Sequence, residues 1–460
     1  MQSEIYDVAI VGAGVVGCAM ARRFTLDGAR VLVLEKSLDV LDGASKGNSA
    51  ILHTGFDAPP GTLEQACIAN GYREYLEIAG SLSLPILKSG ALVIAWSREQ
   101  LSQLPELIKK AHQNNVTDVR MLECEEILQR EPRLSGRLLG GFEVPGECLI
   151  DPWTTAHAYI LQALANGAEL IRGIEVTGGS YDGEAWDLTT SGKNVRSRAV
   201  INCAGLYGDL LDEALIGRRD FTISPRKGQF VVFDKNASDL VSAIILPVPT
   251  LTTKGVVICR TIFGNVLVGP TAEDQESRTD FSTARETLIA LRDKGVEMLP
   301  ELNACDVVAS YAGLRPATEF KDYQIRHRED QAYVTVGGIR STGLSSALGI
   351  AQHVAKLLQD SGRRFEPLKN PETPAPDRLS NYHERDWQCP GNDGIVCHCE
   401  LVTRREIEHV LAGPLPPNTL QGLKRRTRVT MGRCQGFYCT GELAEIIRGR
   451  LKHAIGCDHG

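Results

Sequence analysis

Residues 6–36, YDVAIVGAGVVGCAMARRFTLDGARVLVLEK, decide the fold of this chain. The apolar run YDVAIV predicts a buried strand, and the glycine-rich segment GAGVVG, residues 12–17, follows it directly. The next residues, CAMARRFTLDG, have helical spacing, and ARVLVLEK predicts a second strand that ends in Glu35. A strand, a glycine turn, a helix and a strand within about 30 residues form the context that a dinucleotide-binding fingerprint requires.

Each glycine of this segment, and the acid after it, has a predicted task at a nucleotide diphosphate. Gly12 permits the tight turn, Gly14 lets the diphosphate approach the backbone, and Gly17 lets the helix pack closely on the strand. The helix N-terminus favours an anion through its free N–H groups and its dipole. Glu35 would accept hydrogen bonds from a ribose, and its charge disfavours a 2′-phosphate, so NADP is not expected. Spacing alone does not separate FAD from NAD, and a glycine turn without a ligand is the alternative.

The composition is that of an ordinary globular protein. The 460 residues are enough for two or three domains, and 43% apolar and 23% charged residues are typical of such chains. A net charge of −7 argues against general nucleic-acid binding. The N-terminus has acids where a signal peptide has basic residues, and no stretch approaches the ~18 apolar residues of a membrane span. We therefore expect a cytoplasmic protein, with peripheral attachment to the inner face of the membrane through a partner left open.

The rest of the chain predicts an α/β fold: a Rossmann-like domain with an inserted antiparallel-sheet substrate domain, and a small helical domain at the end. A helix opens at Asp151-Pro152, and short β-like runs alternate with turn residues over 219–320. Four prolines between 367 and 376 indicate an extended linker. The predicted bounds are 1–365 for the first unit (nucleotide-binding parts 1–80, 140–218 and 325–362, substrate domain 81–139 and 219–324), 366–384 for the linker and 385–460 for the small domain.

The small domain carries a second chemical signal, a set of four cysteines. Cys397 and Cys399 are followed, after 34 intervening residues, by Cys434 and Cys439. Four thiolates bind zinc or an iron–sulfur cluster. Zinc ribbons favour C-x2–4-C pairs with a shorter separation, so a cluster is the favoured interpretation. Zinc and unmetallated core cysteines are the alternatives.

The other cysteines fall outside this pattern. Seven of the 13 are scattered between Cys18 and Cys305 and are predicted to be reduced core thiols. Cys389 and Cys457 lie near the four but have no assigned role, and His398 is expected to point away from the metal. Thr403 and Glu406 form a predicted capping box, and a second helix is predicted after Cys439.

Three segments resemble the flavin-binding motifs of the D-amino-acid-oxidase-like flavoprotein superfamily. Residues 44–55, ASKGNSAILHTG, are similar to its flavin-facing loop, which ends in His-x-Gly. Residues 202–205, NCAG, and 337–343, GGIRSTG, are similar to its internal and C-terminal flavin contacts, and the match covers roughly residues 5–360. The resemblance implies FAD as the cofactor, with these contact residues: Gly12, Gly14, Val15, Val16, Gly17, Glu35, Lys36, Ser45, Asn48, Ser49, Val176, Ala204, Gly205, Gly338, Gly343 and Leu344.

Two groups within that superfamily share features with the chain. GNSAILHTG followed by PGTL, residues 60–63, resembles L-2-hydroxyglutarate dehydrogenases and oxidases, which typically lack the tail. The tail, CHCELVTRREIEHVL with GLKRRTRVTMGRCQGFYC, resembles the C-terminal domain of the A subunit of anaerobic glycerol-3-phosphate dehydrogenase. Its cysteine set is similar to that of bacterioferritin-associated-ferredoxin-like domains, which implies a [2Fe–2S] cluster.

Oxidation of a secondary alcohol requires a hydride acceptor, a base for the hydroxyl proton and a clamp for the substrate's anion. The resemblance places His53 before the flavin ring, and histidine is the side chain most often used as a general base. Arg315, in YAGLRP, resembles the family's substrate-facing arginine, and a guanidinium binds carboxylate or phosphate bidentately. Tyr311 and Arg340 are further substrate-binding candidates. The alternatives are a hydrogen-bonding role for His53 and a structural salt bridge for Arg315.

Several other residues have less specific predictions. Lys227 and Arg260 are expected to be solvated or structural, and Tyr207 is expected in the core. The tail also contains a basic run, namely Lys424, Arg425, Arg426 and Arg428. It could offset the charge of a cluster, dock an acidic partner or form a solvated face.

Together these features predict an FAD-dependent dehydrogenase for a small anionic hydroxy compound, with glycerol 3-phosphate and L-2-hydroxyglutarate as the leading substrates. Hydride would go to flavin N5, and electrons would leave singly through [2Fe–2S] to a partner protein or a quinone. An oxidase fits less well, because a cluster is superfluous when oxygen takes the electrons directly. We also expect an oligomer. The alternatives are a component of an amino- or imino-acid dehydrogenase and a non-catalytic electron-transfer subunit.

Overall fold

The computed structural model describes residues 5–249, 255–453 and 455. Cys457 therefore lies outside the described residues. None of the helices in these ranges combines the length and the apolar character that a membrane crossing needs.

The strands are numbered in chain order. Their bounds are β1 Ile5–Val11, β2 Val31–Glu35, β3 Ile51–Leu52, β4 Ile86–Leu87, β5 Ala91–Ala95, β6 Arg120–Leu122, β7 Gly140–Val144, β8 Cys148–Ile150, β9 Glu169–Arg172, β10 Val176–Tyr181, β11 Trp186–Thr190, β12 Val195–Asn202, β13 Ser224–Phe233, β14 Ile244–Pro247, β15 Val257–Arg260, β16 Val266–Gly269, β17 Glu273–Asp274, β18 Val307–Ala317, β19 Gln324–Arg328, β20 Tyr333–Gly337, β21 Ile395–Cys397 and β22 Val402–Thr403.

The α-helices are numbered in the same way. Their bounds are α1 Val15–Leu26, α2 Leu63–Ala79, α3 Arg98–Gln113, α4 Cys124–Arg130, α5 Pro152–Ala165, α6 Gly208–Ile216, α7 Arg285–Met298, α8 Gly343–Asp360, α9 Arg404–Ala412, α10 Leu420–Thr427 and α11 Thr440–Ile446.

The first sheet is the predicted nucleotide-binding sheet. Strand β1 pairs in parallel with β2 and β12, β2 continues to β9, and β12 continues to β20. The hairpin of β10 and β11 and the strand β19 add antiparallel edges. Helix α1 packs against α5 and α8 and contacts β1 and β2. Helix α5 opens as predicted, with Asp151 as its N-cap and Pro152 in its first turn.

The second sheet is the predicted inserted sheet, and two separate stretches of the chain build it. Strand β13 pairs with β16, β17 and β18, and β14 with β15, all antiparallel. Strands β5, β6 and β7 join through a single parallel pair between β14 and β5. Strand β7 starts at residue 140, which the predicted bounds give to the nucleotide-binding part, yet it pairs in the second sheet. The other bounds stay a prediction.

A small third sheet brings the 44–55 loop and the segment before α5 together. Strand β8 pairs antiparallel with β3, placing Leu52 opposite Cys148. His53 directly follows β3, and Glu147 directly precedes β8. One residue further along the same register, these two residues therefore lie opposite each other.

The tail folds as a small, mainly helical unit with its own core, which includes Val402, Ile407, Leu423 and Leu443. The predicted capping box of α9 is present: the Thr403 hydroxyl accepts from the N–H of Glu406, and the Glu406 carboxylate accepts from the N–H of Thr403. The segment 366–384 forms no helix or strand. It lies along the first domain, because the amide of Gln162 donates to the Glu372 carbonyl.

Candidate active site

A cavity of about 980 Å³ lies between the first and second sheets. Fourteen of the sixteen predicted flavin contacts line it: Gly12, Gly14, Val15, Val16, Glu35, Lys36, Ser45, Asn48, Ser49, Val176, Ala204, Gly205, Gly343 and Leu344. Gly17 and Gly338 are not among the lining residues. Of the predicted reacting residues, His53, Arg315 and Arg340 line the same cavity, and Tyr311 does not.

The glycine turn at the end of β1 makes a close cradle for a diphosphate. Gly12 has a φ of +107°, and a Cβ there would meet the Cys203 carbonyl oxygen at 2.4 Å. A Cβ on Gly17 would meet the Gly12 carbonyl oxygen at 1.9 Å, so this glycine allows α1 to pack on the turn. The Ser45 hydroxyl accepts from the N–H of Val15 at 3.0 Å, at the N-terminus of α1. Anions bind at such helix ends, and the cradle fits the diphosphate of FAD.

Glu35 and Lys36 lie where the second strand meets the cavity. The Glu35 carboxylate accepts from the N–H groups of Ala13 at 2.6 Å and Ser37 at 2.8 Å, and burial raises its pKa. The Lys36 ammonium lies 3.1 Å from the centre of the Tyr207 ring, a cation–π contact. Tyr207 packs, partly buried, against a hydrophobic core cluster as expected, and it also lines the cavity, which the sequence did not indicate.

The 44–55 loop is held against β18, the strand that carries Arg315. A Cβ on Gly47 would lie 2.9 Å from the Gly313 Cα, and a Cβ on Gly313 would lie 2.3 Å from the Gly47 carbonyl oxygen. Only glycine at both positions permits this approach. The Tyr311 ring stacks on Phe230, and the Tyr311 hydroxyl donates to the Asn48 carbonyl at 2.6 Å. Tyr311 thus contacts the loop without lining the cavity.

His53 forms a buried pair with Glu147. The imidazole Nδ1 lies 2.8 Å from the Glu147 carboxylate, whose side chain is 0% exposed. The same carboxylate accepts from the N–H of Thr54 at 2.7 Å and from its hydroxyl at 2.8 Å. Among the described residues, no hydrogen bond engages Nε2. A carboxylate on Nδ1 fixes the ring orientation and stabilises the imidazolium that proton abstraction at Nε2 would form.

Arg315 is a half-buried cation without a carboxylate partner among the described residues. Its Nη1 donates to the Thr271 carbonyl at 3.3 Å, and its guanidinium lies over Gly228, where a Cβ would fall 2.5 Å from Nη2. Burial, with a smaller effect from Arg226, lowers the pKa of Arg315 to about 10. The group stays charged, and an anion in the cavity would offset the cost of its burial.

The other predicted cations are already paired or bonded to the protein. Arg340 donates to Glu64 at 3.3 Å while lining the cavity. Lys227, a buried side chain outside the cavity, pairs with Asp280 at 2.7 Å, and Arg260 donates to the Ser242 carbonyl. Lys227 and Arg260 therefore have the structural roles expected of them.

The four tail cysteines lie close together. The Cys399 thiol interacts with those of Cys434 and Cys397, and the Cys439 thiol with those of Cys397 and Cys434. In the ranges that the structure covers, no three His, Cys, Asp or Glu side chains converge on one ion-sized point, as a mononuclear zinc site would require. Four neighbouring thiols are the ligand set that a [2Fe–2S] cluster needs. A hydrogen bond from the Tyr438 backbone lowers the pKa of Cys434, which favours the thiolate that iron binds.

The basic run pairs with acids of the same chain. Arg425 pairs with Asp42 of the first domain at 3.2 Å, Arg426 with Asp377 of the linker at 2.7 Å, and Arg428 with Glu400 of the tail itself at 2.9 Å. These three arginines are buried, so the solvated-face interpretation is wrong for them. These arginines already pair with acids of the same chain, so they are not available to bind an acidic partner protein.

Sequence reasoning missed three parts of the site: Glu147, Tyr207 and the paired glycines of the 44–55 loop and β18. No spacing rule joins Glu147 to His53, because the two residues are 94 positions apart. Glu147 immediately precedes the strand CLI, residues 148–150. A prediction that β3 pairs with β8 would have placed this acid opposite His53.

Two protein families match this chain. Residues 7–357 match the family described as FAD dependent oxidoreductase, and residues 395–448, which include all four tail cysteines, match the BFD-like [2Fe-2S] binding domain. The matches confirm both cofactors predicted from the sequence, FAD and [2Fe–2S].

Several proteins similar to this chain have names that describe enzymes acting on small hydroxy compounds. Glycerol 3-phosphate dehydrogenase of Caloramator mitchellensis is 32% identical over 97% of this chain and 95% of its own length. The A subunit of the anaerobic glycerol-3-phosphate dehydrogenase of Escherichia coli K12 is 24% identical over 97% and 88%. The mitochondrial L-2-hydroxyglutarate dehydrogenase of Nematostella vectensis is 29% identical over 70% and 75%. Both predicted resemblances are thereby confirmed.

A solved structure gives the same result for the fold. Dithionite-reduced L-alpha-glycerophosphate oxidase from Mycoplasma pneumoniae, with FAD bound, superposes with a TM-score of 0.74 at 28% identity. The match covers 80% of this chain and 97% of that one. The chain therefore belongs to the FAD dependent oxidoreductase family and carries a BFD-like [2Fe–2S] binding domain behind it.

Proposed function

We propose that this protein is a dehydrogenase that oxidises glycerol 3-phosphate at its secondary hydroxyl. The observation that carries the proposal is Arg315, a half-buried guanidinium without a carboxylate partner among the described residues. It lines the same cavity as His53, whose Nδ1 contacts Glu147. A phosphate group would supply the missing anion and take two hydrogen bonds from the guanidinium fork. The Caloramator relative, similar along nearly the whole chain including the tail, supports this substrate over L-2-hydroxyglutarate.

The roles we assign follow from the geometry. Arg315 would hold the anionic end of the substrate, and His53 would take the hydroxyl proton at Nε2. Glu147 would keep the imidazole in place through Nδ1 and stabilise its protonated form. FAD, when bound, supplies the hydride acceptor, and [2Fe–2S] supplies a one-electron outlet. Tyr311 would act through the 44–55 loop that it supports.

The electron acceptor we propose is a partner protein or a quinone. The similarity to one component of the Escherichia coli enzyme, together with the [2Fe–2S] domain, supports a partner protein in an oligomeric assembly. Such a partner could also bring the enzyme to the inner face of a membrane.

The test is anaerobic bleaching of the flavin absorbance by a panel of glycerol 3-phosphate, L-2-hydroxyglutarate and amino acids. We expect glycerol 3-phosphate alone to bleach it. Bleaching only by L-2-hydroxyglutarate or an amino acid would contradict the substrate, and no bleaching by any compound would favour a non-catalytic electron-transfer protein.

Arg315→Ala tests the anion clamp. Loss of a hydrogen-bonded charge costs about 1.5–3 kcal/mol, so KM should rise roughly ten- to 150-fold with FAD content unchanged. Arg260→Ala, outside the cavity, is the matched control and should leave KM as it is. An unchanged KM in Arg315→Ala would remove the clamp from the proposal.

A further inference from the structure

A buried ion pair within the tail joins the loop that carries the cluster ligand Cys399 to Arg428, and Arg428 contacts an aromatic ring of the inserted sheet's domain. Glu400 follows Cys399 directly and accepts from Arg428 at 2.9 Å, with side chains 2% and 5% exposed. The Arg428 guanidinium in turn lies 4.0 Å from the centre of the Phe263 ring. Arg428 has a φ of +67° at the C-cap of α10, where glycine is usual. These two contacts offset that backbone strain.

The same ring leads on to the cofactor cavity. Phe263 stacks on Trp153 with ring centres 5.4 Å apart and planes 17° from parallel. The Trp153 indole N–H donates to the Lys46 carbonyl at 3.3 Å, in the 44–55 loop. Pro152, the neighbour of Trp153, lines the cavity itself. An unbroken series of contacts therefore runs from the cofactor cavity to a residue bonded covalently to the cluster ligand Cys399.

We propose that Trp153, Phe263 and Arg428, which we call the bridge, conduct electrons from the flavin site to the [2Fe–2S] site. This inference rests on the proposed function and names its internal route. In the proposed reaction the CH–OH group would lose a hydride to the flavin site and its hydroxyl proton to His53. The bridge would carry the two electrons one at a time while the hydride's proton leaves to solvent, and the cluster held by the four tail cysteines would supply a one-electron acceptor that the external acceptor reoxidises. No bond in the bridge forms or breaks.

The bridge is not what fastens the tail. Asp39 accepts from the backbone N–H groups of Asn418 at 2.8 Å and Thr419 at 2.9 Å, at the N-terminal end of α10, whereas Arg428 caps its C-terminal end. Arg425 adds an ion pair with Asp42 of the first domain, and Arg426 adds one with Asp377 of the linker. A side chain of the bridge can thus be changed with these contacts in place, which separates conduction from docking.

Conduction through the bridge depends on close packing of its side chains. Electron tunnelling weakens steeply with distance and more steeply across gaps than through groups in contact. Phe263 belongs to a small buried cluster with Ile262 and Leu379, so a smaller aliphatic side chain there would keep the cluster apolar but remove the stacked ring. Phe263→Leu is therefore the informative variant, and Trp153→Phe keeps a ring while deleting the indole N–H.

The experiment uses the full-length protein loaded with both cofactors. A sub-stoichiometric amount of dithionite is added anaerobically, and flavin absorbance and the electron paramagnetic resonance of the cluster are followed by rapid mixing and freeze-quenching. Phe263→Leu should slow equilibration between the two centres severalfold, and Trp153→Phe should slow it less. Phe365→Leu, a partly buried aromatic packed on Phe24 away from the bridge, is the control and should equilibrate at the wild-type rate.

Two further readouts establish whether docking has changed: iron and FAD content, and tryptic cleavage within 366–384. A wild-type equilibration rate in Phe263→Leu would overturn the proposal. So would slow equilibration accompanied by new cleavage of 366–384, because the effect would then be mechanical. Dithionite is not a substrate, so slow equilibration in an intact variant supports the bridge even if glycerol 3-phosphate fails to bleach the flavin.

Discussion

Replacement of Glu147 by glutamine is the sharpest test of how this site would abstract a proton. The carboxylate is fully buried and lies 2.8 Å from Nδ1 of His53. Glutamine has nearly the same shape, and its amide oxygen can still accept from Thr54. The substitution therefore removes the negative charge that stabilises a protonated imidazole and leaves the packing largely intact.

The magnitude follows from the bond that is lost. A hydrogen bond to a charged group contributes about 1.5–3 kcal/mol, which corresponds to a roughly ten- to 150-fold lower kcat. KM should change little, because Arg315 and not Glu147 faces the substrate's anion in our proposal. FAD content should also stay the same, since Glu147 is absent from the cavity lining.

The assay is anaerobic stopped-flow reduction of the flavin by glycerol 3-phosphate over a range of concentrations. Glu143→Gln is the control: it is close in sequence but pairs with Arg120 near the surface, where ion pairs contribute at most about 1 kcal/mol. A limiting rate for Glu147→Gln equal to that of the control would refute the positioning role. A raised KM with an unchanged limiting rate would do so as well, because it would place Glu147 in binding.

Three other substitutions probe the loop, the docked tail and the cluster. Gly313→Ala would put a methyl group 2.3 Å from a carbonyl oxygen of the 44–55 loop, so FAD content should fall; Gly80→Ala, with open space around it, should retain FAD. Burial and nearby guanidinium groups depress the pKa of His157 well below 6.5, so the folded protein keeps this ring neutral while the unfolded chain takes up a proton. Stability should therefore fall as pH drops below about 6.5, and thermal unfolding of His157→Gln should lose less between about pH 6.5 and pH 5 than the wild type. Cys434→Ser should abolish the paramagnetic signal of the reduced cluster and keep the yellow flavin, whereas Cys389→Ser should keep both.

Local patterns in the sequence predicted the cofactor sites well, but they did not predict the contacts between distant segments. The turn at Gly12 and the C-x-C and C-x4-C segments of the tail depend on a few neighbouring residues, so their motifs predict them directly. Glu147 depends on the register between two short strands, β3 and β8, which carry only two and three residues of pattern. The sequence left the role of Arg426 open among three interpretations, because its partner Asp377 lies in a proline-rich segment without a periodic signal.

The position of Asp39 and Asp42 has a consequence for domain exchange. Both acids lie between β2 and the 44–55 loop, so one short segment leads into the flavin site and also anchors the tail. A ferredoxin-like tail grafted onto a single-domain relative would need both carboxylates transplanted with it. Conversely, deletion of the tail would strip Asp39 of its bonds to Asn418 and Thr419 and leave Arg172 as its ion-pair partner. Truncation would thus change the segment that leads into the flavin site, so the kinetics of the truncated protein would not represent those of the full-length enzyme.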